Sequence, residues 1–108
     1  MIESLGQGQI WWADLDPDKI RPVVVLTRSR VAGRLTRVLV APVTSTVRGI
    51  ATEVPLDRSP GVLAGSVANL DNSQLLDVDR LLELIDTVAP QEWPRFCEAM
   101  QRVMACPR

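Results

Sequence analysis

The order of apolar and polar positions divides the chain into a strand-rich part and a helical end. Between residues 9 and 88, short apolar or alternating runs are separated by turn residues, a pattern typical of β-strands. It predicts strands at 9–15, 23–27, 37–41, 51–56, 66–70 and 84–88. Because proline offers no amide hydrogen to a sheet ladder, we expect Pro22 to start the second strand, and Pro42 to end the third. Residues 75–84 are ambiguous, and 79–82 is one possible helical turn.

The last part of the chain has the spacing of an amphipathic helix. Apolar side chains recur there at intervals of three and four residues: Trp93, Phe96, Cys97, Met100, Val103 and Met104. Pro90 suits a first helical position, whereas Pro94 either distorts the first turn or marks the start of the regular helix. Cys97 is expected to act as a small buried hydrophobe.

These elements predict a mainly β (α+β) fold. Several short strands and one terminal helix favour a small β-barrel or strongly curled sheet with the helix packed on it. A parallel α/β sheet is unlikely on this pattern, because no helical crossover separates the early strands. At 108 residues, the chain is expected to form a single domain, 1–108.

Composition agrees with this fold and excludes several classes of protein. Apolar residues make up 46% and charged residues 23%, which is ordinary for a globular domain. No run approaches the roughly 20 apolar residues of a membrane span, and the first residues do not resemble a secretory signal. We therefore expect a cytoplasmic protein that does not contact membranes.

The supply of metal-binding and acid–base side chains is small. The chain has two cysteines and no histidine, which rules out the usual four-ligand zinc site and the commonest general acid or base. Residues 14–25 fail as a calcium loop, because Lys19 and Val25 stand where Gly and Glu are required. We expect neither a metal nor a cofactor.

Charge is strongly polarised along the chain. Residues 19–48 contain seven basic side chains and no acidic one, while the remainder holds all thirteen carboxylates and five basic residues. A basic stretch of this kind attracts polyphosphates, although charge runs are more often solvated faces. Arg28, Arg30, Arg34 and Arg37 fit that general role. Arg21 differs, because it lies at the mouth of an apolar strand, where a rigid element can position it.

Other polar groups have two interpretations each. The hydroxyls of Thr44, Ser45 and Thr46 either satisfy a turn or donate to a phosphate. Asn69, Asp71 and Asn72 either form a turn or contact base edges.

Trp11 and Trp12 are adjacent, so in a strand they point to opposite faces. One is expected in the core, and the other either packs as well or lies at the surface to stack on a base or cover a dimer interface.

Four segments resemble motifs of the MazF/PemK toxins, the ribonuclease components of bacterial toxin–antitoxin systems. They occur in the family's order at 8–15 (GQIWWADL), 21–26 (RPVVVL), 40–46 (VAPVTST) and 66–72 (SVANLDN). The resemblance implies an SH3-like barrel with a C-terminal helix. It also implies a homodimer that cuts single-stranded RNA without a metal, and a MazE-like antitoxin whose acidic, disordered tail blocks the active site.

The resemblance implies that Arg21, in the Arg-Pro motif, and Thr44, after the third strand, are catalytic. Together with the basic and polar groups described above, it favours a set of RNA-binding residues: Arg48, Ser45, Trp11, Arg28, Asn69, Asp71 and Asn72.

The chain also departs from the family pattern. The loop between the first two strands is short, no Glu precedes Arg21, and Asn72 stands where Gln or His is commoner. The alternative functions are a CcdB-like gyrase inhibitor of the same fold and an inert SH3-like adaptor. Against the first, the chain ends in Ala-Cys-Pro-Arg and lacks the terminal tryptophan on which CcdB-type toxins depend.

Overall fold

Seven β-strands and two α-helices occur in the part of the chain that the computed structural model describes, residues 5–16, 19–32, 34–57 and 61–105. The strands are β1 (Gln9–Asp16), β2 (Lys19–Val25), β3 (Arg37–Thr44), β4 (Glu53–Pro55), β5 (Val67–Asn69), β6 (Gln74–Asp77) and β7 (Leu81–Thr87). The helices are α1 (Ser29–Ala32) and α2 (Trp93–Met104). Short 3-10 turns span Leu70–Asn72, Val78–Arg80 and Pro90–Glu92.

The strands form one antiparallel sheet in the order β4-β5-β3-β2-β1-β7, with β6 paired to β3 beside this path. β3 is the central strand, since it pairs with β6 over Arg37–Val40, with β2 over 40–42 and with β5 at its end. Among the described residues β4 and β7 each pair with one neighbour, so the sheet curls without closing. The predicted fold class is confirmed, with "barrel" in a loose sense.

Side chains alternate between two cores, one on each face of the curled sheet. Val24 of β2 joins the core that Phe96 and Ala99 of α2 cover. Val23 and Val25 belong to the second core, with Trp11 and Val40. Because β2 is buried on both faces, its sequence reads as a continuous apolar run.

The prediction that Pro22 starts its strand is wrong, because β2 already begins at Lys19. The Leu26 amide donates to Leu39 of β3, and alternation then turns the Pro22 nitrogen toward β3 as well. Pairing with β3 begins only at Val23, so the missing amide hydrogen interrupts no recorded pair. The third strand likewise continues through Pro42 to Thr44.

The C-terminal helix is confirmed, with two local differences. Pro90 opens a 3-10 turn, and α2 begins at Trp93 with Pro94 in its first turn, where a proline removes no helical hydrogen bond. Cys97 is exposed rather than buried, because Phe96 and Ala99 face the sheet instead. No helix among the described residues is long and apolar enough to cross a membrane.

Candidate active site

Arg21 lies near the start of β2, before the residues through which β2 pairs with β3. Its Cα partner on β1 is Ala13, and on the other side Val23 faces Pro42 of β3. Extending that register by two residues sets Arg21 opposite Thr44. Both residues line one cavity of about 600 Å³. Strand pairing therefore brings the two predicted catalytic residues together.

The Arg21 side chain is exposed and also lines a second cavity of about 660 Å³. Within the described residues its guanidinium forms no ion pair. A planar guanidinium without a carboxylate partner keeps its fork of donors available for two phosphate oxygens. Arg21 therefore lines both cavities with a guanidinium that is available to bind an anion.

Thr44 ends β3 and is half-buried. Its Oγ1 accepts a hydrogen bond of 3.1 Å from the Thr46 amide. This contact fixes the hydroxyl oxygen and leaves the hydroxyl hydrogen free to donate into the cavity. Ser45, exposed beside it, lines the same cavity.

The polar residues after β5 separate into structural and cavity-lining groups. Asn69 is only 8% exposed, and its Oδ1 accepts from the Asp71 amide at 3.1 Å, which caps the 3-10 turn. Asn69 thus serves the backbone, and it is not among the residues that line either cavity of Arg21. Asp71 and Asn72 line the second cavity together with Arg21. The Thr52 hydroxyl donates to Asp71 Oδ2 at 2.6 Å.

The two tryptophans face opposite ways, as predicted, and the one that lines the cavity is Trp12 rather than Trp11. Trp11 is 8% exposed, packs in the second core and donates its Nε1–H to Gln9. A ring so enclosed has no free face for a base, so the assignment of Trp11 is wrong. Trp12 is 38% exposed and lines the cavity of Arg21 and Thr44.

Arg28 does not join this site. It follows the far end of β2, and a strand rise of about 3.3 Å per residue already puts some 13 Å between Arg21 and Val25. Arg37 lies at the same far end of β3, where it donates to Asp77 Oδ1 at 2.9 Å. The basic stretch is therefore divided between two ends of the sheet, and the side chain of Arg30 lies outside the described residues.

Arg48 lies on a loop whose backbone amides are held by the carboxylate of Glu53. Glu53 accepts backbone N–H groups from Arg48 at 3.1 Å, Gly49 at 2.9 Å and Ile50 at 3.4 Å. Gly49 has φ +72°, a conformation that glycine adopts without strain. The Arg48 side chain is exposed, and it is not among the residues that line the two cavities.

The sequence did not single out Glu53, Ser66 or Lys19. Glu53 is the first acidic residue after the acid-free stretch 19–48, and its carboxylate accepts a hydrogen bond from the amide of Arg48, the last residue of that stretch. Ser66 lines the cavity of Arg21 and Thr44, and Lys19 lines the second cavity. Ser66 begins both the alternating run at 66–70 and the motif at 66–72, but neither indicates what its side chain faces.

The groups that line the two cavities can contact a phosphodiester. Arg21 provides fixed charge, Thr44 a positioned donor and Asp71 a carboxylate in the second cavity of Arg21. Within the described residues, no three His, Cys, Asp or Glu side chains cluster closely enough to hold a metal ion. Such a site can bind and polarise a phosphodiester through hydrogen bonds alone.

Comparison with known proteins identifies the family. The model of the PemK-like, MazF-like toxins of type II toxin–antitoxin systems matches residues 6–104. Endoribonuclease MazF3 of Mycobacterium tuberculosis is 46% identical over 83 residues, which cover 77% of this chain and 81% of that protein. The probable endoribonuclease MazF5 of M. tuberculosis is 36% identical over 104 residues, 95% of each chain.

Solved structures agree with this assignment. The M. tuberculosis toxin MazF-mt6 superposes with a TM-score of 0.85 at 41% identity, covering 93% of this chain and 99% of its own. A mycobacterial endoribonuclease in complex with its cognate antitoxin shares the fold, with a TM-score of 0.85 at 24% identity over 96% of this chain and 98% of its own. The resemblance seen in the four sequence motifs is confirmed, and the CcdB-like alternative finds no support. The chain belongs to the PemK-like, MazF-like family of toxins of type II toxin–antitoxin systems.

Proposed function

We propose that this protein is the toxin of a bacterial toxin–antitoxin pair and arrests growth as a sequence-selective endoribonuclease of single-stranded RNA. The observation that carries the proposal is the shared cavity of Arg21 and Thr44, in a chain 46% identical to an endoribonuclease. Because its proposed substrate is bacterial RNA, the protein is proposed to act in the cytoplasm.

The reaction that fits this site is an internal transfer. The ribose 2′-oxygen attacks phosphorus, the bond from phosphorus to the 5′-oxygen breaks, and the products carry a 2′,3′-cyclic phosphate and a 5′-hydroxyl. Arg21 stabilises the added negative charge of the phosphorane and donates a hydrogen bond toward the departing 5′-oxygen, which takes its proton from solvent because the guanidinium stays protonated. Thr44 donates a further hydrogen bond to a phosphate oxygen.

A general base must take the proton from the 2′-hydroxyl, and we assign this role to Asp71. Among the described residues that line the two cavities of Arg21, Asp71 is the one with a carboxylate side chain. Its Oδ2 already accepts from Thr52, so its orientation is fixed while Oδ1 stays available.

Asp71→Asn keeps an acceptor for Thr52 but cannot take a proton, so kcat should fall about 10²- to 10⁴-fold with little change in KM. Single-turnover cleavage of a short RNA measures this, with Asp77→Asn as the control, because Asp77 is an exposed carboxylate at the end of β6. Equal rates for Asp71→Asn and the unmodified protein would remove Asp71 from the mechanism.

The proposed partners are a second copy of the chain and a MazE-like antitoxin. The family description pairs each toxin with an antitoxin, and an acidic, disordered tail matches the charge of Arg21 and of residues 19–48. Antitoxin and RNA should therefore compete for one surface. Antitoxin binding unaffected by saturating RNA would contradict that shared site, and sedimentation velocity tests the homodimer.

Brief expression in cells separates the candidate functions. The nuclease predicts new RNA 5′ ends clustered at a short sequence within minutes of induction, together with growth arrest. The Arg21→Ala protein, expressed to the same level, should give neither. Gyrase trapped on cleaved DNA with intact RNA would instead indicate the CcdB-like function, and normal growth would indicate the adaptor.

A further inference from the structure

The cavity that Arg21 and Thr44 line also has a large apolar surface. Arg21 is the charged residue among the described side chains that line it. Trp12, Val43, Val62 and Leu63 provide the apolar surface. Its volume of about 600 Å³ falls within the roughly 300–1,000 Å³ of ordinary small-ligand sites. The cavity therefore offers a charged group for a phosphate and apolar surface for an uncharged ring.

Trp12 offers an open aromatic face on this wall. It lies on β1 between Pro22 of β2 and Glu83 of β7, its cross-strand neighbours. Its ring is 38% exposed, in contrast to Trp11, which the second core encloses. Aromatic side chains with one free face are stacking platforms for unpaired bases, since every base presents a π-face.

Ser66 adds a polar group at the same cavity. The residue is only 4% exposed, and its backbone is engaged on both sides: its amide donates to Leu63 at 3.1 Å and its carbonyl accepts from Leu56 at 3.0 Å. Within the described part of the chain, its hydroxyl forms no hydrogen bond, and it lines the cavity. No buried side-chain oxygen or nitrogen among the described residues lacks a partner, so the Ser66 hydroxyl is open to the cavity, where it can donate to or accept from a ligand atom.

We propose that this part of the cavity binds one extruded nucleobase of the RNA, next to the phosphate held by Arg21 and Thr44. Trp12 stacks on the base, and the Ser66 hydroxyl hydrogen-bonds its edge. The proposal rests on the proposed nuclease function and assigns to Trp12 and Ser66 a role in selecting the cleavage sequence. A base that covers the Ser66 hydroxyl without pairing with it is disfavoured, because the hydroxyl then loses its contact with water and gains no hydrogen bond in return.

The test is a set of synthetic RNAs that each contain one abasic nucleotide at a different position around the cleaved bond. With the unmodified protein, one abasic position should lower kcat/KM about 5- to 100-fold, the range expected for one stacked base. With Trp12→Ala the intact RNA should be cut more slowly by a similar factor, and the same abasic position should cost almost nothing further. Trp12→Phe should restore most of the effect.

Ser66→Ala should change the order of preference among the four bases at that single position, while leaving the rate on the abasic RNA unchanged. Leu82→Ala, which removes an exposed apolar side chain on β7 outside the cavity, is the control and should reproduce every value of the unmodified protein.

Three outcomes would overturn the subsite. In the first, every abasic position lowers kcat/KM equally. In the second, the loss from Trp12→Ala and the loss from the abasic position multiply, as independent effects do. In the third, Trp12→Ala converts the protein to a monomer and lowers kcat/KM uniformly for all RNAs. The last would assign Trp12 to a subunit interface. Absence of cleavage by the unmodified protein would contradict the nuclease function itself, a result distinct from these three.

Discussion

Arg21→Ala is expected to lower the rate of RNA cleavage by about 10³-fold or more. Removing a charged group that stabilises a phosphoryl transition state has effects of this size, because no water molecule reproduces its fixed position. The Arg21 side chain is exposed and has no ion pair among the described residues, so the free energy of unfolding should change by less than about 0.5 kcal/mol. Cleavage of a fluorescent RNA and urea denaturation measure the two quantities.

Arg28→Ala is the matched control for Arg21→Ala. It removes the same charge from the far end of β2, so it should weaken RNA association modestly and in a salt-dependent way, without a large change in kcat. Arg21→Lys keeps the charge but loses the planar fork, and we expect only partial rescue. Full activity of Arg21→Ala would exclude this residue from the catalytic site.

Thr44→Ala is expected to reduce kcat about 10²- to 10³-fold, the usual consequence of losing one preorganised donor to a developing oxyanion. The substitution also removes the acceptor of the Thr46 amide, which costs roughly 1 kcal/mol of stability. Thr44→Ser retains both functions and should recover most of the rate. Rescue by serine separates a catalytic hydroxyl from a merely structural side chain.

Thr87→Ala serves as the control for Thr44, since it removes an exposed strand hydroxyl on β7, away from both cavities. Its rate and stability should match those of the unmodified protein. If Thr44→Ala reduced the rate only in proportion to lost stability, with kcat intact for the folded fraction, Thr44 would have no direct part in catalysis.

Much of the fold follows from local patterns in the sequence. The apolar spacing of α2 and the runs of β1, β2 and β3 have one interpretation each, because burial against a single sheet imposes those periods. The proximity of Arg21 and Thr44, which line one cavity, follows from extending the antiparallel register of β2 and β3 by two residues. Strand register therefore accounts for the part of the site that could be predicted.

The errors have a common physical origin. Alternation shows that Trp11 and Trp12 face opposite ways, but both faces of β1 are covered, by Trp11 in one core and Ile10 in the other. The alternation of side chains along β1 therefore does not show which of its two faces is the more exposed. Cys97 similarly fits the apolar stripe of α2 by spacing, whereas the contact of Phe96 with the sheet determines which residues are buried.

Some short-range contacts could not be predicted either. Glu53 accepts from amides three to five residues before it, and Asn69 accepts from the amide two residues after it, but each contact requires one particular loop or turn conformation. Each contact depends on a three-residue strand or turn, too short to leave a period in the sequence.

The central claim is that the side chains of Arg21 and Thr44 cleave RNA through attack by its own 2′-oxygen, without a metal ion. The most direct test is to incubate purified protein with single-stranded RNA in EDTA and determine the chemistry of the new ends. The account predicts cleavage, with a 2′,3′-cyclic phosphate on one product and a 5′-hydroxyl on the other. Cleavage that requires added metal, or that leaves a 5′-phosphate and a 3′-hydroxyl, would contradict it.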